Sequence, residues 1–303
     1  MAVDPQFLDT LAMMKTVPPA RHMPLDLVRT QPFPGFENKT PVARMEDREI
    51  PTPDGPLAVR IYIPRVAEKL PLLVFFHGGG FIVGGLNSHD EIARALSVAA
   101  DAIVVSVLYR LAPENPFPAA SDDSVAAILW AFAHADEIGA DGGRVAVAGD
   151  SAGGNLCAVA ALRLRDTAGP KLAAQLLIYP ATDLTRPRKG SMLETAEGFY
   201  ISQDDMDFFF DSYVGNGDPG HPHISPLFAE SLADLPPALV ITAECDPLRD
   251  QGLAYAKRLE AEGVATRLEH YEGAIHGFLT NPCPMGSAAI HQSGEWLRQI
   301  FVQ

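Results

Sequence analysis

Short apolar runs alternate along most of this chain with longer stretches rich in alanine and leucine. Residues 72–76, 102–107, 144–148, 174–179 and 237–243 are mainly apolar, the pattern of strands buried on both faces of a parallel sheet. Helices are predicted from about Glu91 (with Ser88 and Glu91 as a capping pair), from about Ser121 and from Ala152 onward. Strand followed by helix, repeated, implies a mostly parallel α/β sheet covered on both faces. Ahead of it, residues 44–50 and 57–63 flank the turn Pro53-Asp54-Gly55 and read as two further strands. A first helix from about Pro5 to Lys15 takes Asp4 as its N-cap, and Pro18, Pro19, Pro24, Pro32 and Pro34 then punctuate a loop-rich stretch.

The alternation breaks between Asp183 and about Pro226. That segment holds a helix over residues 203–213 whose aromatic residues Phe208, Phe209, Phe210 and Tyr213 fall on more than one face. One side would bury on the core and another is available to a ligand; the bland alternative is that all four only pack.

At 303 residues the chain can bury one large core with an appended subdomain. A net charge of −15 disfavours nucleic acid and anionic membrane surfaces as partners. No stretch reaches the length of a membrane span, and the N-terminal Met-Ala-Val-Asp-Pro-Gln has no basic region leading into an apolar one. A soluble, cytoplasmic protein is expected. Cys157, Cys245 and Cys283 are scattered without CxxC spacing and read as free thiols. His221 and His223 flank Pro222 in a loop without cysteine or carboxylate at ligand spacing and are weak evidence for metal; neither a metal nor an organic cofactor is expected.

The chemistry concentrates at two strand ends. Gly149-Asp150-Ser151-Ala152-Gly153-Gly154 follows the strand at 144–148 and opens a helix, which puts Ser151 on a tight strand-to-helix turn. Glycines two positions before and after the serine remove side chains that would clash as the turn closes. The helix N-terminus favours negative charge there. The strand at 72–76 runs into His77-Gly78-Gly79-Gly80-Phe81, whose bare backbone can approach a substrate closely. Amides of Gly78, Gly79 and Ala152 are the candidates to hold a developing oxyanion, each such donor typically contributing roughly 3 kcal/mol. Two such motifs in this order point to a serine that attacks a carbonyl.

A serine hydroxyl needs a base, and after this kind of elbow the acid and then the histidine follow in chain order. His276 lies in a loop just after a strand that begins at Thr266 and ends near Tyr271. His270 alternates within that strand, His291 falls in the last helix, and His221 and His223 sit in a Gly/Pro-rich loop. Asp246, in the loop after the strand at 237–243, is the leading candidate for the acid, with Glu244 and Asp250 as rivals. Its task would be to hold the imidazole tautomer and stabilise the imidazolium.

With His77-Gly-Gly-Gly-Phe81, Tyr109-Arg-Leu-Ala-Pro-Glu114, Gly149-Asp-Ser-Ala-Gly-Gly154, Asp246-Pro-Leu-Arg-Asp250 and His276-Gly-Phe278 in this order, the chain resembles the hormone-sensitive-lipase-like esterases (bacterial esterase family IV) of the α/β-hydrolases. The resemblance implies an α/β-hydrolase fold with about eight strands. It implies a helical cap from residues 1–40 and 183–225 over a catalytic domain of residues 41–182 and 226–303. Ser151, Asp246 and His276 would form the triad, and 109–114 would buttress the glycine loop from below. The activity implied is that of a serine carboxylesterase acting on small-molecule esters of short to medium acyl chains, with Phe81, Tyr179 and Phe209 as candidate substrate contacts. Amide or aryl-acetyl deacetylation by the same triad is the near alternative. A binding protein on this fold is the distant one, and such receptors lack the triad histidine. The strand from Thr266 to Tyr271, with the last helix, is a candidate homodimer edge. Two departures stand out. Gln251 replaces a glutamate common in relatives and is expected to alter only helix charge, and Asp150 reads as a solvated turn carboxylate.

Overall fold

The computed structural model describes residues 1–30, 39–67 and 69–302, so the expected turns at Pro32 and Pro34 lie outside the described residues. The chain opens with a 3-10 turn at Pro5–Phe7 and helix α1 (Leu8–Met14), where the Asp4 carboxylate accepts the Gln6 amide as an N-cap should. Helix α2 (Leu25–Thr30) follows. Strands β1 (Arg44–Thr52) and β2 (Gly55–Ile63) form an antiparallel hairpin around Pro53 and Asp54. The α/β body is then β3 (Leu70–Phe76), α3 (Asp90–Ala100), β4 (Ile103–Val107), α4 (Ala119–His134), β5 (Ala140–Asp150), α5 (Ala152–Asp166) and β6 (Gln175–Ile178). The break in alternation holds α6 (Ser191–Glu194) and α7 (Gln203–Val214). It is followed by β7 (Ala238–Cys245), α8 (Arg249–Ala261), β8 (Thr266–Ile275) and α9 (Pro284–Phe301).

All eight strands make one sheet in the order β1-β2-β4-β3-β5-β6-β7-β8. From β4 to β8 every pairing is parallel, while β2 meets β4 antiparallel. The period-2 alternation of a strand builds two cores. Leu72, Val74 and Phe76 of β3 face a core shared with α4, α5 and α8, whereas Leu73 and Phe75 face one shared with α3 and α9. The bulk of apolar burial therefore lies on both sides of the central strands, and their C-terminal ends are left to loops.

Two local expectations need correction. Ser88 does not cap α3: the helix starts at Asp90 with no side-chain cap, and the Ser88 hydroxyl bonds to Gly85 and His89 instead. Glu91 is occupied by the Thr40 amide and hydroxyl, which fixes the approach to β1. Gln251 also does more than change a helix charge. It is buried, and its side-chain oxygen accepts the amides of both Thr182 and Asp183, tying α8 to the chain leaving β6.

On the far side of the sheet α9 lies directly against α3, because Gly294 has no side chain. A Cβ there would sit 2.4 Å from the carbonyl carbon and the Cβ of Ala99. Gly294→Ala should therefore destabilise the protein by about 1–3 kcal/mol through overpacking. Urea unfolding with an unchanged m-value and a lower midpoint is the expected result.

Candidate active site

β3 and β5 are neighbours in register, with Phe76 opposite Gly149, so the glycine loop and the serine turn leave the sheet side by side. Their contact is closer than any side chain allows. A Cβ on Gly153 would lie 1.9 Å from the Phe76 carbonyl oxygen, and one on Gly149 would lie 2.4 Å from the Gly153 carbonyl carbon. Between these glycines Ser151 adopts φ 55° and ψ −114°, a strained conformation for a residue with a side chain. It is held by its amide donating to Ile178 (2.8 Å) and its carbonyl accepting from Ala181 (3.2 Å).

The strain aims the hydroxyl at His276. Ser151 Oγ lies 2.9 Å from His276 Nε2, and His276 Nδ1 lies 2.8 Å from Asp246 Oδ2. Because a carboxylate only accepts, Nδ1 carries the proton and Nε2 is left to accept the serine hydrogen. Asp246 is fully buried, and its other oxygen accepts the Leu248 amide at 2.7 Å. The rivals are engaged elsewhere: Glu244 accepts the Gly273 amide (2.8 Å) and Asp250 the Ser191 amide (2.9 Å). His270 pairs with Thr242 on the outer strand. The three residues picked from chain order thus form one continuous hydrogen-bonded line.

The oxyanion side differs from expectation. The Gly78 amide donates to Asp150 Oδ1 at 2.8 Å, so it is not free to meet a substrate. Gly79 and Gly80, with φ of +117° and +59°, line the cavity above Ser151. Among the described residues neither amide has a hydrogen-bond partner. Ala152 opens α5 and presents its amide at the helix N-terminus. Asp150 is correspondingly no solvated turn residue: it is buried, beside His89 Nε2 at 3.3 Å. Burial alone would raise its carboxyl pKa, but His89 and the Gly78 amide outweigh it and hold the group below the usual carboxylate range. Burial, with His89 close by, brings the neighbouring His77 down to about 3, so its imidazole is neutral. Its Nδ1 donates to Gly78 O at 2.7 Å while its ring stacks on Tyr109. The Tyr109 hydroxyl donates to the His77 carbonyl (2.8 Å), and the Ala112 amide to Phe81 O (2.9 Å). The 109–114 segment does support the glycine loop.

A cavity of about 460 Å³ opens over Ser151 and His276. Met13, Met14, Met23 and Val28 wall one side, and Phe199, Tyr200, Ile201 and Phe209 another. Of the three expected substrate contacts only Phe209 faces it, lying so close that a Cβ on Gly80 would meet its Cγ at 2.5 Å. Phe81 is fully buried with its ring stacked on Tyr213 (centroids 3.6 Å apart), so it packs the loop from behind. Tyr179 is buried with its ring against that of His276, centroids 4.8 Å apart. The methionines and Tyr200 carry no motif, and sequence reasoning passed over them. Among the described residues no cluster of His, Cys, Asp and Glu could hold a metal ion, and no helix is long and apolar enough to cross a membrane.

Sheet, elbow and glycine loop together define an α/β-hydrolase. A family model described as the alpha/beta hydrolase fold matches residues 73–280. Carboxylesterase NlhH of Mycobacterium tuberculosis is 46% identical over 258 residues, covering 82% of this chain and 80% of that protein. Carboxylic ester hydrolase LipN of the same organism is 48% identical over 240 residues, 77% of this chain but 64% of LipN, so the chain spans under two thirds of that relative. The solved structure of a hyperthermophilic esterase from the archaeon Pyrobaculum calidifontis superposes with a TM-score of 0.91 at 38% identity over the full length of both chains. The chain belongs to the hormone-sensitive-lipase-like family of α/β-hydrolases, and it is a carboxylic ester hydrolase.

The lowered Asp150 carboxyl has a consequence for acid stability. A group whose pKa is lower folded than unfolded stabilises the native state above the ordinary aspartate range, and that contribution is lost as pH falls through the folded value. Asp150→Asn keeps an oxygen for the Gly78 amide but carries no charge. The difference in unfolding free energy between wild type and Asp150→Asn should therefore shift against the wild type on acidification below the ordinary aspartate range. Urea midpoints measured across pH would refute this if the difference stayed constant.

Proposed function

We propose that Ser151 is the nucleophile, His276 the base and acid, and Asp246 the residue that orients it. The observation that carries this reading is the unbroken line from Asp246 through His276 to the Ser151 hydroxyl, on the floor of the cavity. His276 Nε2 takes the serine proton as Oγ attacks the ester carbonyl. The tetrahedral oxyanion is stabilised by the amides of Gly79, Gly80 and Ala152, with the α5 N-terminus adding a favourable field. The imidazolium, stabilised by Asp246, protonates the leaving alcohol, and a water activated by His276 then releases the acid from the acyl-enzyme.

Short- to medium-chain acyl esters suit the apolar walls and volume of the cavity. The walls come from residues 13–28 and 196–209, in line with a cap made of residues 1–40 and 183–225 over a catalytic body of 41–182 and 226–303. Within it the Ala20 amide donates to Asp205 Oδ1 at 2.6 Å, which joins the two pieces. A cytoplasmic location agrees with three buried, unpaired thiols. A homodimer through β8 is in keeping with its place at the sheet edge and with Leu268, 44% exposed there.

On p-nitrophenyl esters, kcat/KM should rise about fourfold per added methylene, from about 0.8 kcal/mol per buried CH2, until the cavity is full and then fall. Ser151→Ala should lose at least about 10⁴-fold in kcat. Residual wild-type-like activity in that variant would remove Ser151 from the mechanism. Faster turnover of matched anilides than of esters would favour the deacetylase reading. Light scattering should give twice the monomer mass, and Leu268→Lys should reduce it to the monomer; a monomeric wild type would refute the β8 interface.

A further inference from the structure

The glycine loop is sharply bent. Gly79, Gly80 and Phe81 take φ of +117°, +59° and +65° in succession, and Phe81 has a side chain to oppose it. Such a turn persists only where its surroundings over-determine it. The Ile82 and Val83 amides both close back onto Gly79 O at 3.0 Å, so residues 79–83 move as one unit. The Ile82 carbonyl is therefore a handle on that unit, and what grips it is Arg29.

We infer that Arg29, on the N-terminal helix α2, is a positioning residue that holds the oxyanion loop in its working geometry. Its Nε donates to Ile82 O at 3.0 Å, and its Nη2 donates to Ala112 O at 3.0 Å. Glu114 orients the guanidinium with two bonds, to Nη1 at 2.8 Å and to Nη2 at 2.6 Å. One planar fork thus joins the glycine turn, the 109–114 support and the N-terminal segment. Lysine would keep the charge but lacks the forked guanidinium that reaches Ile82 O, Ala112 O and Glu114 together. The neighbouring Val28 lines the cavity, so the segment that builds this wall also restrains the donors of the reaction.

The inference rests on the Ser151 mechanism and predicts where a loss would appear. Gly79 and Gly80 amides bind the tetrahedral oxyanion far more strongly than the neutral ester, so displacing them lowers kcat rather than raising KM. For p-nitrophenyl acetate, Arg29→Ala should lower kcat about tenfold, less than removing a donor outright, with KM changed by under about twofold. Arg29→Lys should recover little of it, and Glu114→Gln should fall between. Affinity for a trifluoromethyl ketone, which forms a tetrahedral adduct on Ser151, should drop by the same factor as kcat. Near-UV circular dichroism fixes the folded fraction; where Arg29→Ala is not folded, Arg29→Lys and Glu114→Gln decide. Wild-type kcat per folded molecule in the variants, or a change confined to KM or Tm, would overturn the inference. A wild type that hydrolyses no ester and forms no ketone adduct would instead overturn the mechanism beneath it.

Discussion

The structure depends on one close approach, between the Phe76 carbonyl at the end of β3 and Gly153 at the start of α5. No Cβ fits in that gap. It exists because β3 and β5 are parallel neighbours in register, with Phe76 opposite Gly149, and because both strands end at the same level. The consequence is that Ser151 and the glycine loop need no long-range assembly. They leave the sheet together, and a rigid core of buried branched side chains on both faces sets their separation. The cost is local strain at Ser151, offset by hydrogen bonds from Ser151 to the chain around Ile178 and Ala181.

Charge is then managed by burial around the same gap. Asp150 beside Ser151 could have opposed negative charge in the cavity. Its carboxylate is instead turned onto the Gly78 amide and His89, where it acts as an anchor for the loop. That bond also takes the Gly78 amide out of reach of the cavity. Gly79 and Gly80 follow it and line the cavity, and their positive φ values show why glycine stands at both positions. His77 contributes as a neutral plate between Tyr109 and His89 rather than as an acid or base.

This balance explains what the sequence made legible. That Ser151, Asp246 and His276 would come together in one hydrogen-bonded line was readable because each sits where an apolar run stops and because chain order ranks them. The strand pattern and the buttress at Tyr109 were readable for the same reason: they are properties of short contiguous segments. That the Gly78 amide is bound to Asp150 was not readable, because three identical residues carry no information about which way a peptide plane turns. Asp150 and Gln251 were misjudged because their burial depends on partners far away in the chain, Gly78 and His89 for one, Thr182 and Asp183 for the other. Phe81 and Tyr179 were assigned to the substrate because aromatic residues near a site look alike until rings are placed; one stacks on Tyr213 and the other on His276.

The cavity walls follow a different logic from its floor. The floor is made by strand ends, where a displaced backbone atom meets another backbone atom. The walls are side chains of unmotived segments, Met13, Met14 and Met23 on one side and Phe199 to Ile201 on the other. Methionine adapts its shape at small cost, so such walls can accept different acyl groups without disturbing the floor. The two halves are nonetheless joined, at Phe209 lying over Gly80 and at Arg29, beside the wall residue Val28, which bonds the Ile82 carbonyl. A change in wall residues away from those points alters which ester fits. A change at them reaches the glycine loop, where backbone meets backbone beside Ser151.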